Sequence, residues 1–125
     1  MKKPLIGITL DSEKKKTYSK FPWYALRRNY LSSISRFGAL PVPLTHDLKV
    51  VNSFSKLLDG LVITGGDFDI DPKIYNNLKK GSKNLKRKRT NFEIKIFNKF
   101  LELNKPILGI CGGAHLINVA SGGSL

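Results

Sequence analysis

Four short apolar runs constrain the fold more than any other feature of the chain: Pro4 to Leu10, Leu40 to Leu44, Gly60 to Thr64 and Pro106 to Ile110. Each is continuous and not alternating, the pattern of strands buried on both faces of a parallel sheet. Helical periodicity fills the intervals between them. Ser19-Lys20-Phe21-Pro22 predicts a helix start, with Trp23, Leu26, Tyr30, Ile34 and Phe37 recurring at three and four residues and Gly38 as the stop. A second helix is predicted from Asp47 to Leu58, capped by Asp47, with Leu48, Val51, Phe54 and Leu58 on one stripe. A third begins at Thr90, where Thr90-Asn91-Phe92-Glu93 reads as a capping box and Phe92, Ile96, Phe97, Phe100 and Leu101 face the core. The fourth runs through Leu116, Val119 and Ala120. This alternation predicts an α/β fold with an open, mostly parallel sheet and helices on both faces. In such sheets ligands bind at the carboxyl ends of the strands.

The chain's 125 residues suffice for one domain, 1–125, and 41% hydrophobic content is ordinary for a globular core. The formal net charge of +13 draws attention to polyanions. Its source argues otherwise, because the basic residues concentrate in Lys14-Lys15-Lys16 and in the Lys79 to Arg89 run, without interleaved stacking aromatics or a nucleic-acid motif. Residues 77–89 therefore read as a basic mobile loop, and a polyanion-binding module is the weaker alternative. Neither a secretory leader nor a spanning segment is recognisable, which points to the cytoplasm. A single cysteine excludes an internal disulfide.

That cysteine, Cys111, sits between glycines where the last strand meets the last helix, in Gly109-Ile110-Cys111-Gly112-Gly113. Small residues at Gly109 and Gly113 let a sharp strand-to-helix turn close and lift the thiol out at the strand end. Unpaired N–H groups at a helix N-terminus favour the thiolate there. The Gly112 amide is placed to bind an oxyanion, and an amide of the Gly65-Gly66-Asp67 loop offers a second donor. Asp67 and Asp69 are candidates for a substrate ammonium group. Their alternation suggests calcium, but an EF-hand reading fails, since Pro72 and Leu78 fall where glycine and glutamate belong; no metal or other cofactor is expected. His115, one turn into the helix, projects from the helix side and is a poor general base for Cys111. His46 reads as an ordinary loop histidine.

Pro106 to Leu125 resembles the nucleophile elbow of class I glutamine amidotransferase-like proteins, most closely the γ-glutamyl-γ-aminobutyrate hydrolase branch. Asp59-Gly60 through Gly65-Gly66-Asp67, with Asp69, Asp71, Pro72 and Tyr75, is similar to another stretch of that branch. So is the segment from Tyr30 to Leu44. The resemblance implies a flavodoxin-like sheet and hydrolysis of a small-molecule γ-glutamyl amide through a glutamyl thioester. It implies Cys111 as nucleophile, Gly66 and Gly112 as oxyanion-hole donors, and Glu93 as a family-matching position near the site. It also implies that the catalytic histidine and glutamate belong to the second half of the family's domain. The chain then corresponds to the first half, inactive alone, or to one half of a split enzyme completed by a second chain.

Overall fold

The computed structural model describes residues 2–77 and 81–125. The first, second, third and fourth apolar runs form β1 (Leu5–Thr9), β4 (Leu40–Leu44), β5 (Gly60–Ile63) and β6 (Ile107–Gly109), while β2 (Asp11–Glu13) and β3 (Trp23–Ala25) make a small antiparallel hairpin. The four-stranded sheet has the order β4-β1-β5-β6 and is parallel throughout. Numbered among themselves, the parallel strands run 2-1-3-4, the flavodoxin-like order. Successive strands are added on one side of β1 and then on the other. With right-handed crossovers, α1 (Arg28–Arg36) then lies on one face, and α2 (Val51–Leu57) and α3 (Arg87–Glu102) on the other. The final helix, α4 (Gly112–Ala120), packs beside α3 against β5 and β6. Between the sheet and these three helices lies the core of Leu44, Leu61, Ile63, Phe92, Ile96, Phe100 and Leu116.

Several local expectations need correction. Trp23 does not open a helix: it pairs with Glu13 in the hairpin, and its indole N–H donates to the Lys15 carbonyl at 3.0 Å. Three residues are too few to separate a helical period from a strand, and Asp11–Glu13 offered a partner that a local pattern does not reveal. α1 starts at Arg28 instead and ends as expected. Gly38, at φ 84°, donates to the Ser35 carbonyl while Ala39 donates to that of Ile34, closing a Schellman turn.

Thr90 is not a helix cap. α3 begins at Arg87, and Thr90 and Glu93 are both buried inside its first two turns. The expected loop over 77–89 thus ends before Arg87; Leu78, Lys79 and Lys80 lie outside the described residues. Asp47 does cap its segment, accepting from the Lys49 amide at 2.9 Å, but the first turn is a 3-10 helix over Leu48–Val50. That tighter turn leaves Leu48 exposed, as is Leu101 at the far end of α3.

Candidate active site

Cys111 forms the turn between β6 and α4, exposed and with φ 54° and ψ −111°. Positive φ is costly for a side chain bearing a Cβ, of order 1–3 kcal/mol, and persists only where the surroundings over-determine it. Here they do so through two close approaches. A Cβ on Gly113 would lie 2.0 Å from the Ile63 carbonyl oxygen, and one on Gly109 would lie 2.7 Å from the Gly113 carbonyl oxygen. Only glycine at both positions lets α4 seat against β5 and β6, so the expected role of these two residues holds. The turn is closed by the Gly113 amide donating to Ile110 and the Ala114 amide donating to Cys111. Gly112 is the first residue of α4, and its N–H is among the first-turn donors that have no partner inside the helix.

The Gly65-Gly66 loop, after β5, abuts this turn. A Cβ on Gly65 would touch that of Cys111 at 3.2 Å, and one on Gly112 would lie 3.8 Å from the Gly66 nitrogen. The Gly65 N–H donates to the Tyr30 hydroxyl at 3.3 Å. The Gly66 N–H makes no hydrogen bond among the described residues. A cleft of about 620 Å³ opens at the carboxyl ends of the strands, lined by Asp11, Arg27, Tyr30, Gly66, Asp67 and Cys111. Cys111, Gly66 and Asp67 therefore come together around one crevice, while Gly112, next to Cys111 and packed against the Gly65-Gly66 backbone, lines the adjoining cavity.

Asp69 does not join them. Its carboxylate accepts from the Lys83 amide at 2.6 Å and its own amide donates to the Lys83 carbonyl, so it staples its loop and lines a neighbouring cavity with His115. Asp71 is likewise turned to structure, accepting from the Lys73 amide and pairing with Arg87 at 3.3 Å. The three aspartates do not converge, and no cluster of three His, Cys, Asp or Glu able to hold a metal exists among the described residues. Among the described residues no hydrogen bond joins the His115 and Cys111 side chains; the His115 amide donates to the Cys111 carbonyl at 3.2 Å, and the imidazole lines the neighbouring cavity. His46 is buried, donating from Nε2 to the Leu10 carbonyl at 2.8 Å with the Tyr24 ring against its edge.

The residue that sequence reasoning missed is Arg89. Read as part of a solvated basic loop, it is fully buried directly behind the Gly65-Gly66 turn. Its Nη2 donates to the Thr64 carbonyl at 2.8 Å, the Thr64 hydroxyl at 3.0 Å and the Gly65 carbonyl at 3.2 Å, while Nε donates to Glu93 at 3.1 Å. Nη1 faces Asp11 at 3.3 Å, and the Phe68 ring stacks 4.3 Å from the guanidinium carbon. A planar fork with fixed donors suits such a site where a lysine would not. The signal was present in the spacing, since Arg89 falls on the stripe of Phe92, Glu93, Ile96 and Phe100.

Around it lies a network of opposite charges. Lys86 donates to Asp11 at 2.6 Å, to the Ser12 carbonyl and to Glu13. Burial pushes the Asp11 carboxyl up, but Lys86, the Ser12 amide and Arg89 together hold it below the ordinary value. Glu93 goes the other way, burial raising it despite the Arg89 charge. Lys86, Arg87 and Arg89 are thus each engaged by an acid, which leaves less of the basic run free for a polyanion than its composition suggests. No helix among the described residues is long and apolar enough to cross a membrane.

Comparison with known proteins agrees with this geometry. The profile of the Peptidase C26 family matches residues 4–125. A glutamine amidotransferase-like protein of Rickettsia prowazekii is 46% identical over 98% of this chain and 45% of its own length. The γ-glutamyl-γ-aminobutyrate hydrolase PuuD of Escherichia coli K12 is 30% identical over 100% of this chain and 49% of its own. The chain spans about half the length of these relatives. Among solved structures, the hydroxyethylthiazole kinase of Pyrococcus horikoshii superposes with a TM-score of 0.55 at 17% identity, over 96% of this chain and 37% of that one. That likeness concerns the α/β fold alone. With elbow, glycine loop and sheet order in agreement along residues 4–125, the chain belongs to the Peptidase C26 family of glutamine amidotransferase-like proteins.

Proposed function

We propose that the chain carries the nucleophile half of a γ-glutamyl amide hydrolase site. The Cys111 thiolate attacks the γ-carbonyl carbon of a small γ-glutamyl substrate, and the electron pair of the C=O bond moves onto oxygen. The N–H groups of Gly112 and Gly66 hold that oxyanion, each donor typically worth roughly 3 kcal/mol. Collapse breaks the C–N bond, the amine leaves with a proton, and water then cleaves the thioester. Asp67 faces the cleft and offers a carboxylate for the substrate ammonium group; Asp69, bound to its own loop, serves that purpose less well.

The general base and its orienting carboxylate come, on this reading, from the counterpart of the relatives' second half, whether joined to this chain or separate. The observation that carries the proposal is the juxtaposition of Cys111, strained at φ 54°, with an uncommitted Gly66 N–H on the adjoining loop. Hydrolysis of a γ-glutamyl anilide, assayed with and without a polypeptide carrying that second half, tests it. Activity is expected only in the completed protein, and Cys111→Ser should lower it by several orders of magnitude. Full activity in Cys111→Ser overturns the nucleophile assignment. Activity of the chain alone overturns the need for a second half.

A further inference from the structure

We infer that Arg89 is a positioning residue that aims the Gly66 N–H into the Cys111 cleft; the inference rests on the hydrolase reading above. The argument turns on peptide geometry. A trans peptide is planar, with its C=O and N–H pointing in opposite directions. The Gly65 carbonyl and the Gly66 N–H belong to one such unit, and the carbonyl is drawn to the buried Arg89 Nη2 at 3.2 Å. The Gly66 N–H must therefore point away from Arg89, toward the side on which Cys111 lies.

The preceding peptide provides an internal check. Its carbonyl, that of Thr64, also accepts from Nη2, at 2.8 Å, and its N–H, that of Gly65, emerges on the opposite side to meet the Tyr30 hydroxyl in the cleft wall. Two successive peptides are thus turned the same way by one guanidinium. Arg89 has no freedom to let them turn back. Glu93 holds its Nε, Asp11 stands at Nη1, and Phe68 covers its face. Gly66 itself wraps the group so closely that a Cβ there would lie 3.1 Å from Nη1 and 3.0 Å from the Phe68 ring. An arginine that neither touches substrate nor reaches the thiol would in this way set an oxyanion donor.

A reversible aldehyde separates this role from mere support of the fold. An N,N-dimethylated γ-aldehyde analogue of glutamate, which keeps the ammonium charge but cannot cyclise to an imine, adds to Cys111 as a hemithioacetal: the sulfur–carbon bond forms, the carbonyl pair moves to oxygen, and the adduct needs the oxyanion donors. Iodoacetamide alkylates the same thiol without them, and Cys111 is the only cysteine, so both reactions are read on the whole chain without ambiguity. The aldehyde concentration that half-protects Cys111 from alkylation is the quantity measured.

Arg89→Lys keeps the charge but loses the fork, and should raise that concentration by between about 10- and 100-fold while the alkylation rate stays that of the wild type. Glu93→Gln, nearly isosteric, loosens the guanidinium and should give a smaller rise, which keeps the test open if Arg89→Lys does not fold. Unchanged aldehyde protection in a folded variant overturns the inference. So does a parallel loss of protection and alkylation, which would mark a structural role only. Absence of any protection in the wild type overturns the hydrolase reading and this inference with it.

Discussion

The two edges of the sheet are built in opposite ways. At one edge, β4 donates from Leu40 to the Pro4 carbonyl, so positions 40, 42 and 44 face β1 and positions 41 and 43 face outward. Both outward positions are proline, which has no N–H to offer a further strand. At the other edge, the Pro106 carbonyl accepts from Leu61 and Ile110 donates to Ile63, so Ile107 and Gly109 present their backbone groups outward. Among the described residues no strand pairs with β6 on that side. Leu108 and Ile110 are 57% and 38% exposed on that side. An open apolar edge next to the nucleophile turn, opposite a closed one, offers a line along which a further strand can pair.

The comparison can be broken most strongly at the glycines. On the open side, Gly113→Ala drives a Cβ into the Ile63 backbone, which cannot yield as a side chain does. A loss of at least about 3 kcal/mol is expected in urea unfolding followed by Trp23 fluorescence. On the closed side, Gly38→Ala meets no atom within 4 Å and bears only the cost of its positive φ, about 1 kcal/mol. Equal losses at the two sites would remove the claim that α4 is seated by close backbone contact.

Ile107→Pro tests the open edge itself by removing one outward N–H, as Pro41 and Pro43 do on the other side. Binding of a polypeptide corresponding to the relatives' second half, measured by calorimetric titration, should weaken roughly five- to tenfold for the lost hydrogen bond of about 1 kcal/mol. Undiminished binding would place the docking line elsewhere. The converse experiment opens the closed edge: with Pro41→Val and Pro43→Val together, sedimentation should report more concentration-dependent association than in the wild type. A double variant that stays as monodisperse as its parent would show that the prolines do not guard β4.

The smallest effect belongs to His46, which pins the chain beyond β4 to Leu10. Burial, opposed by the Leu10 carbonyl and reinforced by the Arg89 charge, holds its pKa below the ordinary 6.5. As the pH falls below 6.5 the unfolded chain takes up a proton that the folded chain resists. The stability from this group is therefore complete above that pH and lost as the pH falls toward the folded value. His46→Gln should flatten this shallow slope in urea midpoints taken across the range; an unchanged slope would assign it to another group.

Much of the molecule was legible in order along the chain. Continuous apolar runs marked the four parallel strands because burial on both faces removes the need for polar alternation. Glycines around Cys111 marked the elbow because no other residue allows the close approach seen at Gly113. The hairpin of Asp11–Glu13 with Trp23–Ala25 was not legible, since its stability comes partly from Lys86, far away in sequence, clamping Asp11 and Glu13. Arg89 was hidden for a related reason. In a run of lysines and arginines, charge predicts exposure, and only the convergence of Glu93, Asp11 and two backbone carbonyls makes its burial affordable.

By itself, then, the sequence determined the parallel sheet, the family, and the one position where a thiol could be raised at a strand end, because these rest on local patterns of burial and on glycine's missing Cβ. Tertiary structure alone decided which of the basic residues lies inside, that Asp67 and not Asp69 lines the Cys111 cleft, and that one edge is closed while the other stands open. Those outcomes depend on the direction of each peptide and on charge pairs between distant segments, and neither is written in any single stretch of chain.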